Sequence, residues 1–598
     1  DPYIYKPDSI MLDLEDAVAE NQKDAARYSL YHALQEIDYR GVERVVRING
    51  LDGPYTQILI DSRPVFSALS GVYGLEQIPA SMIERVEVMR GGGSALFGSS
   101  AIAGTINIIT KEPLRNSGQL SHTITSLGGS SSFDNNTSLN ASLVTDDHRA
   151  GLYIFGQNRY RSGYDYDGDG FTELPKLKNQ TVGFRSYLKT STYSKLTFEY
   201  HHMQEFRRGG DMLNRPPHEA HIAEQLQHSI DGGSLKFDYF SSDEKNRLSV
   251  FASAANTDRD SYYGPGNDPL KAYGKTTDLT AMGGAQYVHT FDKCFFMPSD
   301  LTAGLEYNRD RLKDNMWGYN RHTDQTVNIY SAFLQNEWKN DRWGILIGGR
   351  LDKHNMVDNV IFSPRANLRF NPTQNINLRL SYSSGFRAPQ AFDEDMHIEN
   401  VGGTVAMIER AKDLKEEKSQ SFSVSADMYH RFGAFQTNLL IEGFYTRLTD
   451  VFVLGKPYDR GDGILVKTRS NGPGAKVMGL TLEGKVAYLS ILQIQAGLTL
   501  QRSRYDEPHK WHDDAPAEKK IFRTPDTYGY FTATCTPIKP LSIALSGTYT
   551  GRMLVQRMDI TAENAELGLL GALLDDGADL GRRLAGVLRQ PLHLVLGG

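Results

Sequence analysis

Apolar and polar residues alternate along most of the chain. KLTFEY (Lys195–Tyr200) sets Leu196, Phe198 and Tyr200 on one face and Lys195, Thr197 and Glu199 on the other. LKFDY (Leu235–Tyr239) repeats the pattern, with Lys236 and Asp238 on the polar side. SFSVSADM (Ser421–Met428) opposes Phe422, Val424, Ala426 and Met428 to Ser423, Ser425 and Asp427. QIQAGLTLQ (Gln493–Gln501) opposes Ile494, Ala496, Leu498 and Leu500 to Gln495, Thr499 and Gln501. Period two over so many segments predicts antiparallel sheet. Roughly 445 residues of hairpins lie between about 114 and 558, too many for one sandwich of about 100 residues. Short turns such as FNPTQN (Phe370–Asn375) alternate with long polar stretches at 206–230 and 386–416. Period alone leaves open whether the apolar face turns inward, as in a soluble sandwich, or outward to lipid, as in a spanning barrel. Short turns at one end and long loops at the other fit the barrel.

The ends read differently. Residues 1–46 predict a short α/β piece. SIMLDLEDAV (Ser9–Val18) is an apolar strand ending in acids. From Asn21 to Ile37, Ala25, Ala26, Leu30, Ala33, Leu34 and Ile37 recur at helical spacing behind the cap Asn21. VERVVRIN then gives a second strand, completing a βαβ unit. RVVRINGLDGPYTQILIDSRPVF (Arg44–Phe66) reads as strand, Asp52-Gly53 turn and strand. From about 58 to 112 short strands are punctuated by glycine. Residues 559–598 are Leu/Ala/Gly-rich and more helix-like.

Composition narrows the class. Of 598 residues, 39% are hydrophobic, and Gly 56 and Tyr 31 stand out, as many short strands joined by turns would require. A net charge of −7 gives no support for nucleic-acid binding. No run approaches the roughly 18–20 apolar residues of a spanning helix. A spanning strand needs only about 9–11 alternating residues, so a mean hydropathy of −0.44 is compatible with a barrel. Cys294 and Cys535 form neither a metal spacing nor a disulfide framework. DPYIYKPDSI has neither the basic start nor the apolar core of a signal peptide, which an exported protein would need.

IERVEVMRGGGSALFGSSAIAGTINIITK (Ile83–Lys111) closely resembles the end of the plug domain of TonB-dependent outer-membrane receptors. The matching residues include Glu84, Arg85, Glu87, Arg90, Gly91, Gly98, Gly104 and Asn107. LDGPYTQILIDSRPV resembles the preceding plug strands. A phosphate cradle is the competing reading of RGGGSALFG, but the Gly-Lys-Ser/Thr ending of a P-loop is missing. The resemblance implies a mainly β protein: a large antiparallel transmembrane barrel of a roughly 22-stranded family with a plug in its lumen. The plug would occupy 47–113 and the barrel 114–558. Glu84, Arg85, Glu87 and Arg90 would then face polar wall residues, because buried charges need partners; exposed strand charges are the alternative.

LRLSYSSGFRAPQAF (Leu378–Phe392) and AKDLKEEKSQSFSVSADMY (Ala411–Tyr429) look like a barrel strand, a long loop and the next strand of this family. FRAP (Phe386–Pro389) is a box of its haem receptors, which carry a histidine before a second Asn-Pro-Asp/Asn-Leu box. His397 lies in that region as a candidate haem ligand, while Ala411-Lys412-Asp413-Leu414 stands at the second box. Siderophore and cobalamin receptors share the strand-loop-strand pattern. The family does no chemistry, so no catalytic residue and no required cofactor is expected. It implies a metal-chelate ligand, outer-membrane lipid around the barrel, and TonB of the inner membrane as partner. DYDGDGFTE spaces Asp165, Asp167 and Asp169 around Gly170, like the start of a calcium loop. Lys176 replaces the closing glutamate of an EF-hand, leaving a loop calcium site or a solvated acidic loop. His218, His221 and His228 fall short of a zincin, since Ile222 takes the last histidine's place.

LDLEDAV (Leu12–Val18), with Lys23 and Arg27, resembles the citrate lyase β-subunit of the HpcH/HpaI aldolase-type barrels. That family carries out magnesium-assisted carbon–carbon chemistry on acyl-CoA-like substrates. Such a barrel needs about 250 residues, so a fragment of this size implies no lyase activity. Glu15 and Asp16 are remnants of a site or ordinary strand-end acids. The two resemblances meet within about Arg47–Tyr55, which predicts a chimera. The early plug strands and the segment that TonB grips have no visible counterpart. The barrel is expected to be truncated and to leave a bare strand edge, which lipid does not tolerate.

Overall fold

A computed structural model describes residues 51, 55–64, 69, 82–90, 93–128, 131–166, 168–264, 272–396, 399–401, 404–510, 516–538, 541–554 and 593–596. The α/β piece predicted at 1–46, with Glu15 and Asp16, lies outside them, as do Gly91, Asp167 and His397. Three sheets make up the rest: a four-stranded sheet, a closed barrel around it, and a small sheet formed by the long loops.

The barrel is ringed by twenty-one strands among the described residues. The longest, Tyr273–Cys294, has 22 residues. One member, Glu518–Lys520, is a three-residue strand beside Leu492–His509, which also pairs directly with Thr527–Ile538. Neighbours are antiparallel hairpins, so each turn returns the chain to the adjacent strand and the alternation carries through the wall.

Exposure shows which way the faces point. Phe198 is 44% exposed and Val424 58%, whereas Glu199 beside Phe198 is 8% exposed and Ser421 is buried. Leu498 and Leu500 are exposed while Thr499 and Gln501 are buried. The apolar face is therefore the outer face, the reverse of a soluble sandwich and the arrangement lipid demands. At the short-turn end, aromatic pairs ring the outer wall. Trp343 stacks on Phe370 with centroids 4.3 Å apart, and Phe435 meets Tyr488 at 4.8 Å. Such a girdle marks a membrane interface.

The expectation of an unclosed barrel does not hold. His593–Leu596, within the stretch read as helix-like, forms a strand antiparallel to Leu541–Thr550 and completes the ring next to Ser117–Ser126. HLVL is a β-compatible run, and a free edge at membrane depth would leave backbone groups unpaired, so pairing overrides the local preference. Cys294 and Cys535 are both free thiols.

Inside sits the small sheet: β1 (Thr56–Ile60), β2 (Arg63–Pro64), β3 (Ile83–Arg90) and β4 (Gly104–Thr110) in the order β2-β1-β4-β3. β1 runs parallel to β4, while β3 is antiparallel to it. A one-turn helix, α1 (Ser94–Phe97), forms the link between β3 and β4. Leu51, Tyr55, Ile83, Val86, Ile102 and Ile106 make its core, which continues into wall residues such as Phe155, Phe444, Leu448 and Val477. Leu51 and Tyr55, within the stretch predicted to hold the join, already belong to the sheet's core.

Candidate functional site

The candidate site is where the inner sheet, the wall and the long loops meet. β1 enters from the long-loop end. There the hydroxyl of Tyr55 donates to Glu417 Oε1 at 2.8 Å, and the amide of Phe452 donates to the same oxygen at 2.6 Å. Glu417 opens the strand Glu417–Phe432 and is fully buried. Arg387, last residue of the strand Ile376–Arg387, lies 3.7 Å from Glu417 Oε2. Its guanidinium also sits over the rings of Phe392 at 4.1 Å, Phe452 at 5.3 Å and Tyr55 at 5.5 Å. One buried ion pair and three aromatic faces therefore tie plug, wall and two loops together.

Those loops form a sheet of their own. Glu399–Val401 and Thr404–Arg410 from one loop join Leu465–Asn471 and Phe452–Leu454 from the other, with Tyr458–Asp459 alongside. Met407 and Ile464 pack with Tyr262, Tyr263 and Tyr319 of the facing rim. A second one-turn helix, α2 (Asp393–Met396), is clamped beneath. Arg469 contacts Asp395 at 2.9 Å, and Arg321 donates to the carbonyl of Met396 at 2.9 Å. Gln325 Oε1 accepts from Arg410 and from the amide of Ala391 at 2.7 and 2.9 Å. The loops are thus folded onto the mouth of the barrel.

On the lumen wall below lies a basic cluster. Arg159 pairs with Asp134, Arg207 with Glu205 at 2.8 Å, and Asn179 donates to Glu205 at 3.1 Å. Arg161, 2% exposed, donates to the carbonyl of Pro175 at 3.1 Å, and its Nη2 has no hydrogen-bond partner among the described residues.

The residues singled out from the sequence fall in distinct places. Asn107 accepts from the amide of Ser62 at 2.8 Å and donates to Ser62 Oγ and Glu87 Oε2 at 3.1 and 3.0 Å, tying β4 to β3 and to the turn between β1 and β2. Arg85 and Glu87 were expected to meet the wall. Instead they pair with each other at 2.8 Å, both about one-third exposed. Residues two apart share a strand face, and neither is buried enough to require a partner in the wall. Ion pairs between plug and wall come from elsewhere: Arg185 contacts Asp61, which also accepts from the Thr110 amide and hydroxyl at 2.9 and 2.7 Å, and Lys195 lies 3.1 Å from Glu112. Glu84 and Arg90 lie on β3. Gly104 opens β4 opposite Thr56 and Arg90. Gly98 has φ +80°, and a Cβ there would come within 3.3 Å of Arg350 Nη2. Arg350 is itself held by Glu306 and Asp352 at 2.7 and 2.8 Å, so this glycine lets the plug approach a fixed cation of the wall.

Carboxylate oxygens of Asp165 and Asp169 lie within 4.8 Å of one another and of Glu173, which the sequence reading had not included. Asp165 already accepts from the amides of Gly168 and Gly170 at 2.7 and 2.9 Å. The three histidines do not converge: His218 meets Tyr273 at 2.8 Å, His221 meets Asp211 at 2.6 Å, and His228 lies 3.6 Å from Glu205. Tyr55, Asp61, Arg185 and Glu417 escaped notice because each is defined by a partner over one hundred positions away, except for Thr110.

A plug seated in a closed, lipid-facing barrel under folded loops defines a plugged outer-membrane receptor. The model of the TonB dependent receptor-like β-barrel matches residues 106–561, and that of the TonB-dependent receptor plug domain matches 12–105. The chain belongs to the TonB-dependent receptor family, whose barrels are outer-membrane proteins of Gram-negative bacteria. It is 24% identical over 371 residues to the vitamin B12 transporter BtuB of Vibrio vulnificus, covering 59% of this chain and 55% of that one. The solved siderophore receptor PirA of Acinetobacter baumannii superimposes with a TM-score of 0.69 at 17% identity, over 87% of this chain and 83% of that one. The N-terminal segment matches another family, as a chimera would. The citrate lyase subunit beta of Leuconostoc mesenteroides subsp. cremoris is 60% identical over 55 residues, 9% of this chain and 18% of that protein. The chain thus spans about a fifth of that relative and about half of the B12 transporter.

Proposed function

We propose that this chain captures a metal chelate of the ferric-siderophore class at the outer face and releases it inward when TonB pulls on the plug. The observation that carries the reading is the Tyr55–Glu417–Arg387 junction, where the plug and the two loops that would close over a ligand share one buried carboxylate. A ligand seated there touches both movable parts. The basic wall around Arg159, Arg161 and Arg207 suits an anionic chelate. Likeness to a siderophore receptor supports this choice, and likeness to a B12 transporter makes a corrinoid the second candidate. Haem through His397 is the third. Energy comes from the inner-membrane proton gradient, and the lyase-like fragment contributes no activity.

Equilibrium binding to the full chain in detergent distinguishes the ligands, using ferric enterobactin, cyanocobalamin and haemin as probes. Saturable binding of the ferric catecholate, and its uptake by cells only when TonB is present, is the expected result. Binding of the corrinoid alone overturns the siderophore assignment. No lysis of an acyl-CoA-like substrate is expected.

A further inference from the structure

Toward the long-loop end, the wall parts between two strands. Ile361–Thr373 and Ile376–Arg387 pair from Thr373–Ile376 up to Arg365–Ser383 and no farther. Above that pair each strand stays with its other neighbour: Ile361 lies opposite Asp352, and Arg387 opposite Glu417. Pro364 stands where they part. It has no N–H to offer a facing strand, which confines proline to such edges. The carbonyl of Phe386 turns to the plug instead and accepts from the amide of Ser100 at 2.9 Å. The Phe386 ring packs with Val357, Ile361 and Ala388, so the top of the seam is shut by side chains without strand pairing.

A cavity of about 480 Å³ fills the seam, and its lining comes from both faces of the wall. Phe362, 60% exposed, Tyr382 and Gln420 belong to the outer face, whereas Ser363, Gly385 and Ser419 are buried residues of the inner face. The space therefore runs from the lipid side into the thickness of the wall. Its inner end lies against the plug, since a Cβ on Gly385 would meet Ser94 Oγ at 2.7 Å and Ile102 Cγ1 at 3.2 Å. The hydroxyls of Ser363 and Ser419, 1% and 3% exposed, have no hydrogen-bond partner among the described residues. Buried hydroxyls left so are costly, and they mark where a ligand's polar group would be held.

Height fixes what each end of the seam meets. From Phe370, in the aromatic girdle, to Phe362 is eight residues, about 26 Å along the strand, or about 20 Å upright at a tilt of about 40°. That lies inside the apolar band of about 25 Å, so the outer opening faces acyl chains of the outer leaflet. Tyr382 stacks beside Phe422 at 4.9 Å and extends this apolar side. The inner end lies one step below the plug–loop junction, because the pair Gly385–Ser419 precedes the pair Arg387–Glu417 by two residues.

We infer that the seam takes the tail of an acylated metal chelate. The chelating head sits at the Tyr55–Glu417–Arg387 junction, the amide or ester that joins head to tail bonds to the hydroxyls of Ser363 and Ser419, and the tail leaves between the parted strands into the outer leaflet. The tail slips in from the rim when the loop after Ala388 lifts Phe386 off Val357 and Ile361. The inference rests on the metal-chelate reading above and narrows it to amphiphilic chelates. Each methylene of the tail that leaves water contributes about a four-fold gain in binding.

The test uses the full chain in nanodiscs and one ferric tris-catecholamide in two forms, its linking amine carrying a dodecanoyl or an acetyl group. At equal free concentration, and after subtraction of uptake by empty nanodiscs, the dodecanoyl form is expected to bind at least about ten-fold more tightly. Ser384→Trp, which fills the seam, should reduce that preference to less than about three-fold, whereas Val182→Trp, elsewhere on the outward wall, should keep it. S363A/S419A should weaken the dodecanoyl form about five-fold for each hydroxyl lost. In the parent chain, a diazirine in the tail should label Ile361–Thr373 and Ile376–Arg387. Labelling spread evenly around the wall, a preference that survives Ser384→Trp in a barrel of normal heat-modifiable gel mobility, or unchanged binding by S363A/S419A each overturns the inference. Failure of both forms to bind refutes the siderophore reading itself, while equal binding of the two refutes only the seam.

Discussion

Replacing Glu417 with alanine should loosen the plug and the loops together. The carboxylate is fully buried and serves three groups: the Tyr55 hydroxyl, the Phe452 amide and the Arg387 guanidinium. Removing it leaves two buried donors unsatisfied, at about 1–3 kcal/mol each, and breaks a buried ion pair, at about 3–5 kcal/mol. These figures overlap and are not additive. Arg387 is 3.7 Å away and keeps its three aromatic neighbours, so the lower end applies. The expected loss is about 3 kcal/mol, roughly a hundred-fold in the opening equilibrium of the junction. Hydrogen exchange reads it directly. Amides of β1 and of Phe452–Leu454 should exchange faster in the variant, and strands at the short-turn end should not change. Glu417→Gln keeps an acceptor and should recover most of the protection; Tyr55→Phe removes one donor and should cost about 1 kcal/mol, on the plug side only. If Glu417→Ala loosens only the plug or only the loop, the shared-carboxylate account is wrong.

Asp61→Asn keeps a residue that tolerates its φ of +49° but removes the charge facing Arg185. Glu112 and Glu199 remain 3.4 and 3.7 Å from that arginine, so a loss of about 1–2 kcal/mol is expected, read as faster tryptic cleavage after Lys111. Gly98→Ala forces a side chain into a backbone conformation reserved for glycine and toward Arg350; a loss of about 1–3 kcal/mol should appear as faster exchange in β4, with the barrel's heat stability unchanged. Three carboxylates gathered at Asp165, Asp169 and Glu173 repel one another unless a cation joins them. Millimolar calcium is expected to slow proteolysis of this loop, and Asp169→Asn to raise the calcium needed about ten-fold; an unchanged cleavage rate in the parent chain removes the calcium reading.

Much of the fold was legible because strand alternation is a local property. KLTFEY, SFSVSADM and QIQAGLTLQ each form the strands their period demands, and IERVEVMR and GTINIIT pair as the plug resemblance implies. Asn107, one of the motif residues, bonds to Ser62 and Glu87. Arg85 and Glu87 were read as wall contacts, yet spacing two apart already put them within reach of each other. The junction was illegible because Tyr55 and Glu417 are 362 positions apart, and nothing near either residue in the chain states that they meet. HLVL at 593–596 was hidden by its Leu/Ala/Gly-rich surroundings, since its strand state depends on a partner edge.

Which residues alternate and where turns fall could be read from the chain, because backbone stereochemistry and turn chemistry act over a few residues; the motif in the lumen was legible only through its resemblance to receptor plugs. Only the tertiary structure decided which face of that alternation is the inside. Closure of the ring turned Glu199, Thr499 and Gln501 into a polar lumen and left Phe198, Val424 and Leu498 to the lipid. Burial is a property of how strands surround a space, and a period of two is the same whichever side is enclosed.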